Sequence, residues 1–183
     1  AQDLKAVLIN NLKNVYYLTG FWGSNGTVLV TEERVVLFTD SRYTIHAHAT
    51  CFPFVEIVET RNELEEAAKI VKDAAIHELG FEDEITVAYQ TRLATAFSGV
   101  SLRALSDFVM EFRLIKDETE VATIRKACSI SDQAFLDVLE FIKVGQTTEL
   151  EAATFLDFRM RELGASGVSF DIISAAGERS AMP

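Results

Sequence analysis

Thr27-Val28-Leu29-Val30-Thr31-Glu32-Glu33-Arg34-Val35-Val36-Leu37-Phe38-Thr39 sets two β-branched runs on either side of a Glu-Glu dipeptide. Runs of this length and composition read as strands. A link that short makes a hairpin, so the pair is antiparallel. Outward from it, strand-like runs stand at 6–9, 54–58, 86–89 and 101–105, and helical patterns at 13–18, 41–49, 63–79 and 91–97. Strands alternating with helices predict an α/β domain, and the hairpin makes its sheet mixed. Gly80 stands where a glycine would close the long helix.

The pattern changes near Phe112. From 118 to 144 apolar residues recur at Val121, Ile124, Cys128, Phe135, Val138 and Ile142, a helical stripe with one side toward a core. Asp117 with Glu120 predicts a capping box, and Gly145 the stop. Thr148 with Glu151 repeats the box for a helix reaching Leu163, which Gly164 ends. The segment 170–176 then reads as a strand. Two helices and one strand bury little apolar surface by themselves. The expected organisation is therefore a complete first domain over 1–114 and an incomplete second one over 115–183.

Composition excludes several classes. A net charge of −11 over 183 residues, with no Lys/Arg cluster, argues against nucleic acid as a partner. No run approaches the ~18 apolar residues that span a bilayer. Nothing at the N-terminus reads as a signal peptide, so the expected location is the cytoplasm. The two cysteines, Cys51 and Cys128, sit in apolar-rich stretches and read as reduced, buried packing residues.

Chemistry-bearing constellations are sparse. His46 and His48 are one residue apart, but a helical context splays them and speaks against a shared metal. His77 is placed late in a helix, where a partial positive charge suits the dipole. The glycines of Gly20-Phe21-Trp22-Gly23-Ser24-Asn25-Gly26 lead into a strand, whereas a phosphate cradle opens a helix, so a structural turn is expected. In Asp40-Ser41-Arg42-Tyr43, Asp40 or Ser41 reads as a helix cap, with Arg42 free to pair with a carboxylate. Glu82, Asp83 and Glu84 read as a solvated turn. Ser180 lacks the glycine spacing of a nucleophile elbow.

Three stretches together resemble one family. Asn14-Val15-Tyr16-Tyr17-Leu18-Thr19-Gly20-Phe21, with Gly23-Ser24-Asn25-Gly26 and Thr39-Asp40-Ser41-Arg42-Tyr43, resembles the creatinase/prolidase N-terminal domain. Phe112-Arg113-Leu114-Ile115-Lys116-Asp117-Glu118, with Glu120, Ile124, Arg125 and Ala127, resembles the crossing into a pita-bread metallopeptidase domain. Ser169-Phe170-Asp171-Ile172-Ile173 and Gly177-Glu178-Arg179-Ser180-Ala181-Met182-Pro183 resemble that domain's first strand and following loop.

The resemblance implies a ribonuclease-H-like mixed sheet followed by the first helices and strand of the catalytic domain. It implies an Xaa-Pro aminopeptidase or dipeptidase acting on proline-containing peptides, with two divalent ions, manganese or cobalt, and a homodimer whose first domain narrows access to the cleft. The family's metal ligands, two Asp, one His and two Glu, would lie beyond Pro183, as would the histidine that typically follows this proline. A helix ahead of Ala6 would be only partly included. No catalytic or metal-binding residue, and no bound metal, is then expected within residues 1–183, which alone would be inactive. Phe170 matches an aromatic wall of the substrate pocket, with core packing as the alternative. Metal-free creatinase shares both domains, and a non-catalytic dimerising or peptide-binding module remains a competing class.

Overall fold

A computed structural model describes residues 4–181, which fall into two compact units meeting at Ile115 and Lys116. The first unit is built on β1 (Ala6–Ile9), β2 (Thr27–Thr31), β3 (Val35–Thr39), β4 (Val55–Glu59), β5 (Glu78–Glu82) and β6 (Ser101–Leu105). They form one sheet in the order β4-β3-β2-β1-β5-β6. Only β2 is antiparallel to its neighbours, pairing Val28 with Leu37 and Leu8 with Leu29. The β3–β4, β1–β5 and β5–β6 pairs are parallel. Five strands therefore run one way and bring their carboxyl ends to one edge of the sheet.

Alternation along the strands divides the core in two. Ala6, Leu8, Leu29, Val36, Phe38, Leu79 and Phe81 face α3 (Glu63–Asp73) and α4 (Val87–Ala96), which contribute Leu64, Ala67, Val71 and Leu93. Val7, Ile9, Val28, Leu37 and Val55 face the other way. They meet α1 (Leu12–Thr19), α2 (Thr44–Thr50) and α5 (Phe108–Leu114) through Val15, Ala47 and Val109.

Four expectations need correction here. The helix expected over 63–79 ends at Asp73, because Ala75 turns left-handed at φ 51. His77 and Gly80 then belong to the approach to β5 and to β5 itself, and His77 is exposed. Gly80 does not end a helix. A Cβ there would stand 2.7 Å from Leu105 Cδ1 and 3.0 Å from Leu4 Cδ1, so the glycine makes room for leucines packed over the strand. The run 86–89 is not a strand: Thr86 accepts from the Tyr89 N–H and caps α4. The helix expected from 41 starts at Thr44, because Tyr43 N–H closes a turn onto the Asp40 carbonyl at 2.9 Å.

The second unit is a hairpin of α6 (Glu118–Phe141) and α7 (Glu149–Glu162) followed by a 3-10 turn at Gly177–Ala181. Both expected capping boxes form, Asp117 with Glu120 and Thr148 with Glu151. Phe141 stacks on Phe155 at 4.4 Å, and Arg159 Nε donates to Asp137 at 2.6 Å. Of the stripe expected to face a core, only Val138 is buried; Ile124, Cys128 and Phe135 are exposed. Two helices cover only one side of each other. The strand expected over 170–176 does not form, since no second strand stands in this unit among the described residues. Cys128 is thus not buried, and Cys51 is half-buried, its thiol pushed up by that burial.

Candidate functional site

The edge where five strands end gathers the polar side chains that the core excludes. At its centre is Glu82, the last residue of β5, which is 7% exposed. One carboxylate oxygen accepts the backbone N–H groups of Asn10 and Asn11, both at 2.7 Å, and the other accepts Asn14 Nδ2 at 2.5 Å. Asn14 Oδ1 in turn accepts Arg113 Nη1 at 2.8 Å. Glu82 is therefore no solvated turn residue. It satisfies the exit of β1 and the entry of α1, while Asp83, next along, accepts from the Ser106 hydroxyl after β6.

Beside it, the glycine-rich turn is structural, as its lead into β2 suggests. Gly20 caps α1 in the left-handed region, and Phe21 is buried against Gly23 and Gly26. Tyr43 meets Phe21 edge-on at 5.6 Å, and its hydroxyl shares a 2.6 Å hydrogen bond with Ser24 Oγ. His46 stands 4.7 Å from the Trp22 ring and hydrogen-bonds the Trp22 carbonyl through Nε2. His48 is exposed. Trp22, 65% exposed, leaves a large apolar face at the surface.

Asp40 and Arg42 form the next group. Arg42 Nε and Nη2 each reach a different Asp40 oxygen at 2.8 Å, and Asn25 Nδ2 donates to Asp40 at 2.6 Å. The Arg42 guanidinium, then Asn25, hold the Asp40 carboxyl well below the usual carboxylate range. A folded pKa below the unfolded value, about 3.9, contributes stability that is full above about pH 4 and is lost as pH falls further. Asp40→Asn should therefore lose stability by a constant amount near neutral pH, with the difference shrinking below about pH 4. Denaturant unfolding at a series of pH values reads this, and a pH-independent difference would remove Asp40 as an acid-sensitive group.

In the second unit Phe170 is 78% exposed. Glu149 accepts the Ala176 N–H at 2.7 Å and pairs with Arg179, and Ser180 Oγ donates to the Gly177 carbonyl. Ser180 thus serves its own turn. Among the described residues no three His, Cys, Asp or Glu side chains converge as ligands of one metal ion. Sequence reasoning missed Glu82 as a buried hub; Asn10 and Asn11 ahead of α1 and Asn14 in its first turn were the only signal that an acceptor was needed.

Comparison with known proteins puts this geometry in a family. The model of the Creatinase/Prolidase N-terminal domain matches residues 1–115, and that of Metallopeptidase family M24 matches 122–183. An uncharacterized peptidase of Bacillus subtilis, YqhT, is 35% identical over 98% of this chain and 51% of its own length. The structure of an Xaa-Pro dipeptidase from Bacillus anthracis is 36% identical with a TM-score of 0.89, over 98% of this chain and 50% of that one. The N-terminal domain of the cytoplasmic peptidase PepQ from Mycobacterium tuberculosis is 38% identical with a TM-score of 0.56, over 60% of this chain and 88% of that one. The chain spans about half the length of the curated relatives it matches. With family models over both units and a TM-score of 0.89 along 98% of the chain, the chain belongs to the metallopeptidase family that carries a creatinase/prolidase-type N-terminal domain.

Proposed function

We propose that residues 1–183 work within a metal-dependent peptidase that removes the N-terminal residue ahead of proline. The observation that carries this reading is the likeness, along 98% of the chain, to the Xaa-Pro dipeptidase from Bacillus anthracis. Peptidase names among the relatives favour it over metal-free creatinase. Two divalent ions, manganese or cobalt, would supply an activated water and a polarised scissile carbonyl. Their ligands are assigned to none of the described residues. The boundary near Ile115 then separates a creatinase-type domain over 1–114 from the opening of the catalytic domain over 115–183, and residues 1–183 alone are inactive.

Phe170 is the proposed aromatic wall of the substrate pocket. Its ring is exposed, so it is available to an apolar substrate side chain. A cytoplasmic homodimer completes the reading. No described helix is long and apolar enough to cross a membrane, and one similar structure is that of a domain of a cytoplasmic peptidase.

The test is hydrolysis of an Xaa-Pro dipeptide and a longer Xaa-Pro peptide by the product of the whole reading frame, read to its stop codon. Release of the N-terminal residue should vanish on chelation and return with manganese or cobalt. Phe170→Ala should raise KM for the proline substrate more than it lowers kcat. Residues 1–183 alone should release nothing. Activity that survives full chelation, or none with either metal, overturns the reading.

A further inference from the structure

Beyond the carboxyl ends of β3 and β4 lies a polar cleft of about 490 Å³, lined by Asp40, Arg42, Arg61, Glu63 and Arg92 among others. Open α/β sheets bind ligands outside the carboxyl ends of their strands, where loops and helix starts gather. Three guanidinium groups meet here in a chain of net charge −11, and they outnumber the cleft's carboxylates by one. Two of them are anchored. Arg42 is forked onto Asp40, and Arg92 Nη2 donates to Glu63 at 3.0 Å. Each keeps further N–H donors after these bonds. Arg61 is exposed and has neither an ion pair nor a side-chain hydrogen bond among the described residues.

One further feature points the same way. The first turn of α3 opens into the cleft at Glu63, and Asn62 gives it no side-chain cap.

We propose that this cleft is a binding site for a small molecule presenting a carboxylate or phosphate group, held by Arg61 together with the remaining donors of Arg92 and Arg42. The planar fork of arginine matches the paired oxygens of either group, whereas a neutral ligand would leave the third guanidinium uncompensated. Asp40 and Glu63 orient two of the forks, so Arg42 and Arg92 are presented rather than free to swing. Nothing in this inference depends on the peptidase reading, because the cleft lies wholly within the first unit and binding alone is measured.

The experiment is calorimetric titration of the purified protein with inorganic phosphate and, separately, succinate, at constant ionic strength held with chloride. One saturable site is expected for at least one of the two, and whichever binds names the oxygen chemistry. Arg61→Ala should weaken it about tenfold or more, the loss of one charge-assisted bond. Arg103→Ala, which removes a guanidinium paired with Glu78 outside the cleft, should leave the affinity unchanged. Arg61 is exposed, so its variant keeps the fold, checked by circular dichroism. Absence of saturable heat from both anions, or equal weakening by both variants, overturns the site.

Discussion

Replacing Glu82 with alanine should cost about 4 kcal/mol of folding free energy, since three hydrogen bonds to a charged acceptor vanish together. The carboxylate is nearly inaccessible and is shared by the Asn10 and Asn11 N–H groups and the Asn14 amide. Those donors mark the exit of β1 and the entry of α1. Once the acceptor is gone the Asn14 amide is left buried without it, and the part-buried Asn10 and Asn11 N–H groups lose their partner. Asn14 also holds Arg113 of α5, so the loss reaches the helix that ends the first unit. Glu82→Gln keeps one accepting oxygen but turns an amide N–H toward donors, and should cost about half as much. Denaturant unfolding followed by circular dichroism measures both. A loss below about 1 kcal/mol for Glu82→Ala would mean that the three donors find other partners.

Gly20→Ala should be the next most damaging change, at about 3 kcal/mol. Gly20 sits at φ 78, where an L side chain is strained by about 1–2 kcal/mol. A Cβ would also stand 2.8 Å from the Thr50 carbonyl oxygen, and that atom is backbone, so it cannot rotate away. Phe52 N–H donates to the Thr19 carbonyl at 2.9 Å, which ties the two segments at that distance. The chain's single tryptophan, Trp22, lies two residues away and reports the local opening by fluorescence. Gly99 offers the control. Its φ is 87 but nothing lies within 4 Å of its Cβ position, so Gly99→Ala should show the backbone strain without the collision. Equal losses at the two sites would remove the collision from the account.

The elements that were legible in the sequence are those whose own residues decide them. The hairpin of β2 and β3 follows from two β-branched runs and a short link, and the capping boxes of α6 and α7 from their Ser/Thr/Asp-x-x-Glu spacing. What stayed hidden was decided by partners far along the chain. The end of α3 rests on Ala75 in a conformation usually left to glycine, and Gly80 looks like the missing stop because its true reason, Leu105 and Leu4 above it, is remote. Segment 170–176 has strand-forming residues but no pairing partner in its unit, and pairing is what makes a strand. At the candidate site, Arg42's appetite for a carboxylate was readable and Asp40 meets it, two residues away. Glu82 was not readable, because burial of a glutamate in a Glu-Asp-Glu run is set by Asn10, Asn11 and Asn14 some seventy residues earlier.

The strand order carries a consequence for self-association. Its two outer members, β4 and β6, are the rows of backbone groups on which a second chain could extend the sheet. Both are guarded. β4 follows Pro53 and carries Glu56 and Glu59, and β6 carries Arg103 at its midpoint. Adding a strand to either margin would press these charges against the newcomer, which disfavours edge-to-edge growth into fibres and leaves helices and loops as the surfaces by which two copies could meet.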